Sequence, residues 1–183
     1  MPCKHIIRPI LCNRACRAHQ VSEGRQALLV LGQAALEVDW LDKHLDGVGS
    51  SAEIIAIMDD DACLIDHFVL DDLVEPSTGR LIARSTMTEG LMYRPLIEAM
   101  GLSWGGNFMT DFPVFVWREM LPDFRHWIAN FNSSVSVAHD AVTEHTLIQG
   151  YHRMCKIQTG RMSEFTVIMN WAFSSEKWRP RYS

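Results

Sequence analysis

Three consecutive carboxylates, Asp59-Asp60-Asp61, close the apolar run Ile54-Ile55-Ala56-Ile57-Met58. Carboxylates one residue apart can share a single hard divalent cation. Mg²⁺ and Mn²⁺ prefer oxygen ligands, and they are commonly held by one or two carboxylates together with substrate phosphates. Asp59 and Asp61 therefore point to a metal–diphosphate site. The alternative for the same triplet is a solvated acidic turn. A second polar stretch contains His139, Asp140, Glu144, His145 and His152. On a helix, His145 and His152 lie about two turns apart on one face, and Asp140 and Glu144 share another. This stretch offers a third metal ligand or a catalytic carboxylate, against the plainer reading of a solvated helix face.

Other chemistry finds less support. Trp104-Gly105-Gly106-Asn107 lacks both the spacing of a dinucleotide loop and the Lys-Ser/Thr of a P-loop. Its glycines would let backbone approach a ligand, or simply form a loop. Ser163 has no G-x-S-x-G elbow, which leaves a serine hydrolase without a nucleophile. Cys3, His5, Cys12, Cys16 and His19 have loosely zinc-like spacing but no paired C-x-x-C knuckle. With Cys63 and Cys155 the cysteines are five, an odd number, and reduced thiols are the expected state.

The 183 residues are enough for one domain, and 48% hydrophobic with 21% charged residues is ordinary globular composition. A net charge of −5 argues against a nucleic-acid partner, which usually meets a basic face. Lys4, Arg8, Arg14 and Arg17 all precede the first acid, Glu23, so the start reads as an Arg-rich targeting peptide or a frayed or mis-started terminus. No apolar run approaches the roughly 20 residues that span a bilayer. Arg8 and Pro9 interrupt the best candidate for a signal-peptide core. The expectation is a chain with no membrane anchor and no readable destination.

The elements that must position the acids read as follows. Residues 1–20 are an unassigned segment, and 21–183 form the domain. Ser22 suits the N-cap of a helix to about Leu45, with Leu28, Leu31, Ala35 and Val38 at helical spacing. The β-branched run 53–58 reads as a buried strand. In open α/β sheets functional residues lie just past the carboxyl ends of such strands. A short helix or turn over 68–74, a turn at Pro76–Gly79 and a strand over 80–85 follow. A helix spans 89–100 with Pro95 near its start or at a kink, then a glycine-rich loop, then a strand over 112–117. Pro122 suits the first turn of a helix that lines up Leu121, Phe124, Trp127, Ile128 and Phe131. Helices over 138–152 and 164–173, the latter capped by Ser163, and a basic aromatic tail complete an α/β domain.

The order of three blocks carries a resemblance: Ala52 to Leu64 with its Asp-x-Asp, Met109-Thr-Asp-Phe-Pro-Val-Phe-Val116, and Ser163 to Phe173 with Asn170. Together they resemble a family of glycosyltransferase-like proteins of the GT-A, nucleotide-diphospho-sugar transferase fold. In that family a strand ends in Asp-x-Asp, a Phe-Pro-Val strand leads into a helix, and a Ser-Gln-Phe-Asn-like helix lies near the C-terminus. The likeness covers about residues 50 to 178. Glu164 stands where the family usually has Gln, and Thr166 where it often has Asn. The resemblance implies a single Rossmann-like domain with a mostly parallel sheet flanked by helices. The poor match before residue 50 implies incomplete N-terminal strands, as in a fragment, a mis-spliced product or a degenerate copy.

The resemblance also implies a function, which is transfer of a sugar from a nucleotide-diphosphate donor to an acceptor hydroxyl on a sugar, lipid or protein. Asp59, Asp60 and Asp61 would meet the donor, with Asp59, Asp61 and His145 on Mn²⁺ or Mg²⁺ and Asp60 turned toward ribose or the core edge. Asp111, Asp140 and Glu164 are the candidates for the base that an inverting reaction requires. Two other readings stand beside this one. The first is a metal-dependent phosphohydrolase on the same acidic strand edge, with Asp66, Asp71 and Asp72 as further acids. The second is a catalytically inactive or truncated relative.

Overall fold

A computed structural model describes residues 28–32, 52–58, 72–109, 113–157 and 163–183. Three strands form its sheet. β1 (Leu28–Gly32) runs parallel to β2 (Ile54–Met58), and β3 (Val114–Trp117) pairs with the other edge of β2 antiparallel. Ile54, Ile55 and Ala56 are buried, as a central strand of β-branched and small residues should be. The described sheet is thus mixed, with one parallel and one antiparallel pairing, where a mostly parallel sheet is expected from the sequence.

β1 corrects one expectation. The helix expected over 22–45 uses Leu28 and Leu31, but the chain there is extended and its Leu28 pairs with Ile54. The physical reason lies between those two residues. Leu29 and Val30 are apolar as well, and a short continuous apolar run closed by a glycine suits a strand better than one stripe of a helix.

Among the described residues there are four α-helices. α1 (Arg94–Ala99) is shorter than the 89–100 expected, because Pro95 sits in its first turn and the preceding residues form turns. α2 (Leu121–Asn130) also opens on a proline, Pro122, and buries Leu121, Phe124 and Ile128 along one face, with Phe131 buried at its end. α3 (Glu144–Cys155) begins at Thr143, whose hydroxyl and backbone N–H exchange hydrogen bonds with Thr146 in a capping box. α4 (Glu164–Ser174) starts where the sequence predicts, with the Ser163 hydroxyl accepting from the Thr166 N–H. Phe165 to Ala172 are buried without a break, so α4 is the central helix and has no solvent face to speak of.

The segment 80–85 is not a regular strand. Leu81 alone is fully buried there, and it bridges to Val74 on one side and Tyr182 on the other. Through that bridge the C-terminal segment enters the core, with Trp178 and Tyr182 both buried. No described helix is long and apolar enough to cross a membrane.

Candidate functional site

The sheet register fixes which parts of the chain share an edge. Gly32 pairs with Met58 and Ile57 with Val114. The carboxyl ends of β1 and β2 and the amino end of β3 therefore meet at one end of the sheet. Asp59 follows Met58 directly, and Asp111 precedes Pro113 by two positions. Asp59, Asp60, Asp61 and Asp111 themselves lie outside the described residues, as does the side chain of Glu164. Also outside are Asp66, Asp71 and the Cys3–His19 group.

The loop leading toward β3 is anchored on α4 by buried amides. Asn170 is completely buried; its Oδ1 accepts from the Gly105 N–H at 2.6 Å, and its Nδ2 donates to the Gly106 carbonyl at 3.0 Å and the Thr166 carbonyl at 2.7 Å. Asn107, 5% exposed, exchanges backbone hydrogen bonds with Thr86. Its Oδ1 accepts from the Met109 N–H at 3.1 Å and the Thr166 hydroxyl at 3.4 Å. Gly106 has φ +130°, and a Cβ there would come within 2.8 Å of Ser85 Cβ. Only glycine suits that backbone. The loop Trp104–Met109 and the first two turns of α4 are thus one hydrogen-bonded unit.

Asp140 and His145 lie elsewhere. The Arg118 N–H donates to the Glu53 carbonyl at 2.8 Å, which ties the turn before α2 to the amino end of β2. The first turn of α2 holds Asp123, whose carboxylate accepts from His139 at 3.1 Å, Lys177 at 2.6 Å and the Trp178 indole at 2.9 Å. His139 stacks on His126 with ring centres 4.9 Å apart. Asp140 follows in a 3₁₀ turn (His139–Ala141) and is exposed. The helix starts only after Thr143, so Asp140 and Glu144 share no helix face, contrary to the sequence expectation. α3 runs beside α2, with Gly150 against Ile128 and the Arg153 guanidinium donating to the Ala129 and Phe131 carbonyls. His145, exposed and paired with Gln149 at 2.8 Å, lies a turn before Gly150, toward the start of α2. Five residues of β2, about 13 Å end to end, separate that end of the sheet from the end that leads into Asp59.

The Asp123 cluster has a pH signature. Burial alone would push its carboxyl up; hydrogen bonds from Lys177, His139 and Trp178, with the Lys177 charge, outweigh this and hold it below its ordinary value of 3.8. A carboxyl lowered on folding contributes stability that is fully present above the unfolded value and lost as pH falls through the folded one. The stability difference between wild type and Asp123→Asn should therefore be constant above about pH 5 and shrink below about pH 4. Urea titrations across that range measure it, and a gap that widened on acidification would contradict the assignment.

Carboxylate oxygens are the donor chemistry that Mg²⁺ and Mn²⁺ prefer, so Asp59 and Asp61 fit such an ion by type. Among the described residues no group of three or more His, Cys, Asp or Glu could hold a metal. Asn170 and Asn107 fix the loop without carrying charge, so charged chemistry alone does not point to them. The available signal was an asparagine inside an otherwise apolar helix, since a buried amide must find partners. No family model matches the chain, and no curated protein or solved structure is significantly similar to it.

Proposed function

We propose that the chain is a metal-dependent glycosyltransferase that moves a sugar from a nucleotide-diphosphate donor to an acceptor hydroxyl. The observation that carries the reading is the shared sheet end. β2 delivers its carboxyl terminus there beside that of parallel β1, and the Asp-x-Asp follows at once. Open sheets put ligand sites at such ends. The ordered blocks of the family resemblance support the same reading.

In this reading Asp59 and Asp61 would hold Mg²⁺ or Mn²⁺, which would supply charge neutralisation for the donor's diphosphate. Asp60 meets the donor from the same segment. The bond between the anomeric carbon and the diphosphate oxygen breaks, and the acceptor oxygen forms the new bond to that carbon. The acceptor's proton passes to a carboxylate of the chain. Asp111 and Glu164 are preferred for that role, because Asp111 precedes the amino end of β3 in sequence and Glu164 opens α4, the helix whose Thr166 and Asn170 bond the Trp104–Met109 loop. Asp140 and His145, near the start of α2, are set aside for direct chemistry.

The test is thermal stability with UDP-glucose, UDP-N-acetylglucosamine and GDP-mannose, each with and without Mn²⁺. A ligand of the native state at a hundred times its Kd adds about 2.7 kcal/mol, a rise of roughly 5–11 °C for a chain of this size. Asp61→Asn should keep the unliganded melting temperature and lose the metal-dependent rise. A cooperatively folded wild type that no donor shifts would overturn the reading in favour of a non-catalytic relative. Phosphate release from these donors with no sugar transferred would favour a phosphohydrolase.

A further inference from the structure

We propose that Asn132 is an acceptor for N-linked glycosylation, a reading independent of the transferase assignment. The chain has five asparagines, Asn13, Asn107, Asn130, Asn132 and Asn170. Only Asn132 has a serine or threonine two positions on, in Asn132-Ser133-Ser134. That spacing, with no proline between, is the acceptor pattern, and it needs a surface loop. The structure separates Asn132 from the other asparagines it describes. Asn107 and Asn170 are buried and hold the Trp104–Met109 loop. The Asn130 amide is engaged as well. Its Oδ1 accepts from the Val137 N–H at 2.7 Å, and its Nδ2 donates to the carbonyls of His126 at 2.9 Å and Val137 at 3.0 Å. Asn132, two residues past the end of α2, is exposed.

The loop is fastened at its base and open at its tip. His126 joins Asn130 on the Val137 carbonyl, at 3.0 Å, and Arg153 of α3 donates to the carbonyl of the buried Phe131. The Ser133 N–H donates to the Asn130 carbonyl at 3.1 Å, and the Ser133 hydroxyl to the Val135 carbonyl at 2.7 Å. Ser134 takes no part in these bonds and is exposed. Val135 is 70% exposed, the most exposed large apolar residue among those described, so the fold does not cover the tip. Asn132 has φ +46°, a conformation that asparagine tolerates better than most residues. That backbone accounts for an asparagine at 132. It does not account for an exposed hydroxyl at 134, and the acceptor pattern requires both.

In the modification, Asn132 Nδ2 forms a bond to the anomeric carbon of an oligosaccharide carried on a lipid diphosphate. The bond from that carbon to the diphosphate oxygen breaks, the lipid diphosphate leaves, and Nδ2 gives up one proton. The product is a bulky, solubilising group on the surface. Transfer of this kind takes place in the lumen of the secretory pathway, so the proposal puts the loop after α2 on that side during synthesis.

The test expresses the full chain, with no targeting sequence added, in eukaryotic cells that also make a glycosylated lumenal reporter. The variants are Asn132→Asp, Ser134→Ala and Ser134→Thr. Asn132→Asp keeps a residue that tolerates positive φ but has no amide nitrogen to modify. Ser134→Ala leaves Asn132 and the bonds of the loop in place, so it serves should the aspartate fail to fold. Electrophoretic mobility is read before and after digestion with a peptide N-glycosidase, and the peptide containing residue 132 is weighed by mass spectrometry. Wild type should show a single glycosidase-sensitive shift, with residue 132 converted to aspartate by the digestion. The shift should vanish in Asn132→Asp and Ser134→Ala and persist in Ser134→Thr. A wild type with no sensitive shift beside a glycosylated reporter would overturn the proposal, as would a shift that survives in Asn132→Asp or Ser134→Ala. Donor binding is measured separately, so neither result bears on the transferase reading.

Discussion

Replacing Gly150 with alanine is expected to destabilise the protein by about 2–3 kcal/mol, which for a chain of this size lowers the melting temperature by roughly 4–12 °C. On helix propensity alone the sign would be the opposite, since alanine in a helix interior is favoured over glycine by about 1 kcal/mol. The contact decides. A Cβ at Gly150 would stand 2.7 Å from the carbonyl carbon of Ile128 and closer still to its oxygen, and both are backbone atoms of α2 that cannot rotate away. The two helices would have to separate, which would also pull the Arg153 guanidinium from the Ala129 and Phe131 carbonyls it caps. Those carbonyls belong to the last turn of α2 and the residue after it, where intrahelical partners run out. Thermal denaturation of Gly150→Ala beside wild type measures the effect. A melting temperature at or above wild type would mean that α2 and α3 are not in contact at this point.

That glycine also marks where the sequence stops being legible. Elements with a local chemical cause could be read in advance. Ser163 caps α4 through the Thr166 N–H, Pro122 opens α2, and the β-branched run of β2 ends where the acids begin. Gly150 looks like a weakness in α3 until the partner helix is known, because the reason for it is a tertiary contact. Thr143 competes with every earlier start for α3 and prevails through reciprocal bonds with Thr146, which is why Asp140 falls outside the helix. At β1 two leucines three apart fit a helix, whereas the two apolar residues between them and the pairing with β2 fit a strand.

The candidate site divides along the same line. The type of its acids, their spacing and the strand before them are local properties, so a metal–diphosphate chemistry could be formulated from residues alone. Which distant acids could join them is a question of topology, and helical periodicity could not answer it for Asp140 and His145. The buried amides of Asn107 and Asn170 carry no charge, and their meaning emerges only when each is seen to have its partners in another element.

The largest loss of stability is expected from Trp178→Ala, about 3–5 kcal/mol, the range for truncating a buried aromatic. Trp178 is 2% exposed and anchors the C-terminal segment in three ways. Its ring fills the core, its indole N–H donates to Asp123 in the first turn of α2, and the Arg181 guanidinium sits 5.6 Å from its ring while stacking at 4.3 Å on Trp117 of β3. Beyond it, backbone hydrogen bonds tie Arg181 and Ser183 to Leu81 and Ser183 to Ala83, and the buried Tyr182 hydroxyl donates to the Met120 sulfur at 3.1 Å. Burial pushes the Tyr182 phenol well above its ordinary range, so it stays neutral and keeps that bond throughout the working pH range. Trp178→Phe separates the contributions. It retains most of the apolar area and loses the hydrogen bond to a carboxylate, a difference of about 1.5–3 kcal/mol. Lys177 and His139 remain to partner Asp123 in that variant, which argues for the lower end of the range. If Trp178→Ala cost less than about 1 kcal/mol in a urea titration, the C-terminal segment would be an appendage rather than part of the cooperative core. Because that segment also bridges Leu81 to the start of α2, its release should expose both together, and amide exchange at Leu81 and Ala83 should rise in step with the lost stability.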